Sequence, residues 1–187
     1  MAQRGGPDFL TVDDAGSFDY RPSAHAVLAD FEYPSQAAAV LDRSGNCYQL
    51  RAMQGPLMLV RSPAKADLLW LHRAWREAQA QDPQRYPLQR VMPEADAAFL
   101  AGLFEVLELV DAGPDAEGGS WTLSVSGRKA QAQSFPVVRR LLSAKPDLSA
   151  VVVTDPFGHR YRAERHGRWP RAGDHGHFIV CRELAHP

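Results

Sequence analysis

Two hydrophobic periods alternate along this chain. In "CYQLRAM" at 47–53, Tyr48, Leu50 and Ala52 fall on one side and Gln49 and Arg51 on the other. That period of two belongs to a strand with one wet face. Between 68 and 78, Leu68, Leu71, Trp75 and Ala78 recur at steps of three and four, the apolar stripe of a helix. The same two periods predict strands at 9–14, 37–42 and 57–61. A helix is predicted at 21–31, opened by Pro22 or Ser23 and stopped by Pro34; its stripe is Ala24, Val27, Leu28 and Phe31. The helix at 62–81 takes Ser62 as N-cap and Pro63 at its first position. A further helix at 93–110 begins at Pro93 and places Glu94 and Asp96 where the helix dipole favours acids. Its stripe of Phe99, Leu103, Val106 and Val110 is widened by Leu100, Phe104 and Leu107, so it belongs at a centre, packed on more than one side.

A Gly- and acid-rich loop at 111–119 marks the best boundary. Beyond it the early order recurs: a strand at 120–127, a helix at 134–145 and three strands in "LSAVVVTD", "RYRAERH" and "HFIVCREL". The repetition extends to spelling. "VLDRSGNCYQL" at 40–50 and "VTDPFGHRYRA" at 153–163 share D-x-x-G-x-x-Y, and "HFIVCR" at 177–182 lies over "PLMLVR" at 56–61. These patterns predict an α+β fold of two related β-α-β-β-β modules with antiparallel sheet, 9–61 and 120–184. Two central helices within 62–110 connect the modules, which can share one compact domain.

Composition narrows the function classes. The 187 residues carry a formal net charge of −1, which gives no global attraction to nucleic acid or anionic membrane. Charge is banded nevertheless, with seven acids and no base between 91 and 119, a pattern of solvated helix faces and an acidic loop. Cys47 and Cys181 make no disulfide framework. The opening "MAQRGGPDFL" lacks the apolar run of a secretory signal, and no stretch reaches the 18 or so apolar residues of a membrane span. A cytoplasmic protein without membrane partners is expected.

Candidate chemistry gathers in the second module. His159, His166, His175, His177 and His186 lie in the final stretch, and imidazole is a ligand that zinc prefers. On a strand, His175 and His177 share a face, and His159 or His166 is the available third ligand. Cys181 stands about 13 Å from His177, too far to join it on one ion. Arg160, Arg162, Arg165, Arg168 and Arg171, interleaved with Tyr161 and Trp169, suit phosphate or another anion. Cys47 and His159 are the imaginable nucleophile and base, yet no nucleophile elbow or phosphate-binding glycine loop occurs. Trp70 lies about 140° around the helix from Trp75. It therefore faces either the second helix or a partner, and Trp169 is available to a partner in its loop. Strands beginning near 57 and 178 also leave sheet edges to be covered.

The residues favour a noncatalytic protein-interaction or assembly component. It is expected to be homo-oligomeric or bound to another protein, to engage it through Trp70 and Trp169, and to need no cofactor. A second reading is single-stranded nucleic-acid or anionic-ligand binding through the Arg-rich C-terminal hairpin. A third is a zinc-dependent hydrolytic enzyme using His175, His177 and His159.

Overall fold

The computed structural model describes residues 6–52, 55–111, 119–167 and 177–184. They form two compact units. The first gathers the chain as far as Ala78 together with Met92–Glu108, and the second gathers Gln79–Val91 with the residues from Leu109 onward. Of the segment read from sequence as connecting, both helices fall mainly in the first unit and the chain between them in the second.

In the first unit, β1 (Phe9–Asp13) and β2 (Phe18–Arg21) form a hairpin, followed by α1 (Ala24–Asp30), β3 (Ala37–Asp42), β4 (Asn46–Ala52) and β5 (Leu57–Lys65). The strands are all antiparallel, in the order β2-β1-β3-β4-β5. The helix α1 starts where the sequence indicated, with the Ser23 hydroxyl accepting the Ala26 amide. It covers one sheet face, where Phe9, Val27, Phe31, Val40 and Leu50 pack together. On the other face Phe18 meets Trp75 of α2 (Leu68–Gln81) edge to face at 5.3 Å. In α3 (Asp96–Asp111), Phe99, Leu100, Leu103, Phe104, Val106 and Leu107 are all buried, as a helix apolar on several sides requires.

The second unit contains β6 (Leu88–Gln89), β7 (Trp121–Val125), β8 (Arg128–Ala132), α4 (Phe135–Ser143), β9 (Val151–Thr154), β10 (Arg160–Gly167) and β11 (His177–Glu183). Its sheet runs β6-β11-β10-β9-β7-β8, antiparallel except where β6 joins β11 in parallel. Phe135, Val138 and Leu142 of α4 are buried, and Phe135 packs on Trp121 at 5.2 Å. With β6 set aside, the order β8-β7-β9-β10-β11 repeats β2-β1-β3-β4-β5, with a helix after the second strand in each unit. Among the described residues, no helix is long and apolar enough to cross a membrane.

The α+β class and the antiparallel strands agree with the sequence reading, but the internal order differs. With α2, α3 and β6 set aside, each unit is β-β-α-β-β-β, and β2 and β8 are the strands the sequence does not announce. β8, "RKAQA", has four exposed residues out of five and no β-branched or aromatic side chain to mark it as a strand. It forms because Ser126 and Gly127, at φ 47° and 82°, make a two-residue turn whose twist suits a hairpin. The second helix was also placed too early. β5 continues to Lys65, opposite Asn46, and the Asp67 carboxylate caps α2 by accepting the Trp70 amide at 2.9 Å. Ser62 instead accepts the Ala64 amide within β5. The final strands match one residue out of step with their spelling: Tyr48 faces Arg61 and Tyr161 faces Glu183. Arg61 therefore corresponds to Glu183, not Arg182, and a slip of one residue reverses every side chain's face.

Gly45 and Gly158 hold the two corresponding turns at φ 76° and 93°, and a methyl group at Gly158 would meet nothing within 4 Å. The cost of Gly158→Ala is therefore conformational, about 1–2 kcal/mol for a left-handed residue. Urea unfolding should show that loss as a lower midpoint with an unchanged slope; an unchanged midpoint would mean the turn does not require glycine.

Candidate functional site

The shared D-x-x-G-x-x-Y spelling corresponds to one hydrogen-bonded turn built twice. Asp42 Oδ1 accepts the amides of Ser44 and Asn46, each at 2.9 Å, and Oδ2 accepts the Tyr48 hydroxyl at 3.1 Å. Asp155 Oδ1 accepts the amides of Phe157 and His159, each at 2.9 Å, and Oδ2 accepts the Tyr161 hydroxyl at 2.9 Å. In each turn the glycine amide donates back to the aspartate carbonyl. The spacing follows from this geometry. The carboxylate reaches amides two and four residues ahead, the glycine takes the left-handed position, and the tyrosine returns along the next strand.

The two carboxylates differ in their remaining partners. Asp42 is completed locally by Asn46 Nδ2 at 2.8 Å. Burial raises its pKa, but hydrogen bonds from the Asn46 side chain and amide, from Tyr48 and from Ser44 outweigh that and hold it below the ordinary aspartate value. Asp155 receives a cation from a distant segment instead. Arg90 Nη2 donates to Asp155 Oδ2 at 2.6 Å and Arg90 Nε to the Tyr161 hydroxyl at 3.1 Å, with the two charged side chains 2% and 0% exposed. Burial pushes the Tyr161 phenol well above its usual range.

Arg90 brings a strand with it. Leu88 lies opposite Cys181 and Gln89 opposite Arg182, and the Cys181 amide donates to the Pro87 carbonyl at 2.7 Å. The Val91 amide donates to Glu183 Oε2 at 2.7 Å, while Glu183 Oε1 lies 2.6 Å from His159 Nδ1. The outer edge of β11 is thereby covered at Cys181 and Arg182. In the first unit, Asn46 and Arg61 occupy the positions of His159 and Glu183, and Arg61 Nη2 donates to Asn46 Oδ1. No described strand covers the outer side of β5. Beside it an open hollow of about 450 Å³ is lined by Gly45, Asn46, Arg61, Ser62 and Lys65.

Among the described residues, those singled out by sequence are dispersed. Arg160 and Arg162 are exposed on the face of β10 that carries Glu164 and His166. Arg165 reaches the end of α4 and donates to the Lys145 carbonyl at 2.6 Å, where the helix dipole favours a cation. His159 is held by Glu183, whereas exposed His177 pairs with Gly167 at the opposite end of β11. Six residues of strand separate Glu183 from His177, about 20 Å, so His159 and His177 are not brought together. Among the described residues, no three His, Cys, Asp or Glu side chains are grouped to hold a metal ion. Arg168, Trp169, Arg171 and His175 lie outside the described residues. Trp70 is half-buried and walls a cleft of about 230 Å³ with Leu41, Cys47, Gln49 and Leu71. Burial, and then the nearby Asp42 charge, raise the Cys47 thiol, while burial pushes Cys181 up to about 12. Neither is an activated nucleophile at neutral pH.

Sequence reasoning missed Arg90, Glu183, Lys129 and Arg182. The repeated aspartate was a usable signal, since a buried carboxylate requires partners; nothing in the spelling named the cation. Lys129 and Arg182 acquire a shared face only once strand order and register are known.

Removing Arg90 tests its hold on β6. Arg90→Met strands a buried carboxylate and should cost about 3–5 kcal/mol in urea unfolding. Adding Asp155→Asn should recover a large part of that loss in a double-mutant cycle; strictly additive losses would show that the two side chains are not coupled. No family model, curated protein or solved structure matches this chain.

Proposed function

We propose that this protein is a noncatalytic interaction component that captures an extended segment of another chain on the outer edge of β5. The single observation behind this reading is the contrast between equivalent edges. The last strand of the second unit has β6 on its outer side at Cys181 and Arg182, whereas the last strand of the first has no described strand on its outer side. The other terminal strands carry the usual deterrents to pairing: β2 is four residues long with Asp19 and Arg21, and β8 presents Arg128 and Lys129. β5 is nine residues long and confines its own deterrents, Arg61, Pro63 and Lys65, to its second half; its Leu57–Val60 stretch carries no charge or proline, with Met58 48% exposed. Backbone pairing with such an edge is an established way to bind an extended peptide. The Trp70 cleft, on the first unit, offers apolar surface to the same kind of partner.

Binding to an array of eight-residue β-prone peptides tests this function. Leu59→Pro removes the amide corresponding to that of Cys181, and Met58→Lys adds an edge charge. Each should weaken capture at least tenfold while circular dichroism stays native-like. Peptides that bind both variants as well as the parent, or no binding at all, would overturn the function.

A second reading is favoured by a different observation, on the face of the second sheet carrying Arg162. Lys129, Ser124, Val152, Arg162 and Arg182 form one cross-strand row. Arg182 pairs with Glu164 at 3.0 Å, whereas Arg160 and Arg162 have no acid in ion-pair reach among the described residues. Like charges placed opposite each other are destabilising, and a polyanion such as a single-stranded polynucleotide would relieve that repulsion. If Arg160 and Arg162 each contact a phosphate, Arg160→Ala with Arg162→Ala should make the salt dependence of oligo-dT binding shallower by about 1.4 in log–log slope. An unchanged slope removes these two arginines from any such contact.

A further inference from the structure

The way β6 sits on β11 specifies what β5 would accept. Resting on the edge-capture reading, we propose that the incoming segment runs parallel to β5, with an apolar anchor followed two residues later by a carboxylate that enters the hollow beside Arg61.

The template is internal to the molecule. On β11, Leu88 is the anchor, fully buried opposite Cys181. Two residues later Arg90 reaches the turn carboxylate, and one further on the Val91 amide meets Glu183. Register makes Leu59 the counterpart of Cys181 and Arg61 the counterpart of Glu183. The register that sets Gln89 against Arg182 brings position 90 next to Glu183, and its counterpart Arg61 lines the hollow together with Gly45 and Asn46, the counterparts of Gly158 and His159.

The polarity at that place is reversed. In the second unit Asp155 and Glu183 face the incoming residues, and the side chain supplied is an arginine. In the first unit Asp42 already accepts four hydrogen bonds, from Ser44, Asn46 twice and Tyr48. It has no demand for a further cation. Arg61 and Lys65 are the exposed charges lining the hollow. A second arginine there would meet two cations, whereas an aspartate or glutamate would meet its complement with the bidentate geometry that guanidinium favours. The anchor would rest beside the half-buried Leu57 and Leu59, which pack on the α1 core. Backbone pairing supplies affinity, and the charge two residues on selects among segments.

The test uses the full-length protein and two synthetic peptides spanning residues 84–91, one unaltered and one with Arg90→Glu. Each carries a C-terminal spin label. The Arg90→Glu peptide should bind at least tenfold tighter, slow amide exchange at 57–61 and broaden resonances near Arg61 more than those near Leu57. Arg61 is exposed, and Arg61→Glu in the protein, checked for native circular dichroism, should invert the peptide preference. Equal affinities that ignore Arg61→Glu, or broadening centred on Leu57, would overturn the carboxylate or the parallel direction while leaving edge capture standing. Failure of both peptides to protect 57–61 would overturn this proposal; edge capture itself would fall only with the array result above.

Discussion

A carboxylate buried at the mouth of a hairpin is the constraint from which the rest of this structure follows. Asp42 and Asp155 are only 6% and 3% exposed. A buried charge survives only with a full set of hydrogen bonds or a counter-charge. The turn amides two and four residues ahead supply half of that need in both units, which fixes the glycine between them and the tyrosine beyond. What completes the set differs, and the difference decides which strand edge is covered.

Around Asp155 the completion is long-range. Arg90 is drawn into the turn and the chain preceding it is laid along β11, where Cys181 and Glu183 bind its backbone. A buried ion pair of this kind contributes little net stability compared with an apolar replacement. Its consequence is positional, because breaking it strands a charge. Around Asp42 the completion is local, through Asn46, so no strand has to come. One hairpin chemistry thus leaves one sheet edge paired from within the chain and another with no described strand on its outer side.

Much of the architecture was legible in the chain. The period-two stretch through Tyr48 and Leu50, the stripe through Leu71, Trp75 and Ala78, and the serine before α1 all folded as their spacing required. The glycine turn repeated 113 residues on proved to be a repeated hydrogen-bond arrangement as well as a repeated spelling. Other features were hidden for physical reasons. β8 is polar and exposed along most of its length, so it exists through pairing and not through its own pattern. β6 is two residues long and owes its position to Arg90, a cation indistinguishable in sequence from its solvated neighbours. The arginines of the final hairpin were visible as a cluster, but strand alternation separates Arg162 from Arg165, and only register joins Arg162 to Arg182 and Lys129. The histidines looked convergent because they are close in sequence, whereas an extended strand carries His177 away from His159.

Amide hydrogen exchange resolved to single residues, comparing Leu59 with Cys181, tests most directly whether the two edges differ. A covered β11 and an open β5 predict that the Cys181 amide, bonded to the Pro87 carbonyl, exchanges orders of magnitude more slowly than that of Leu59. Equal protection at both amides would contradict the open edge.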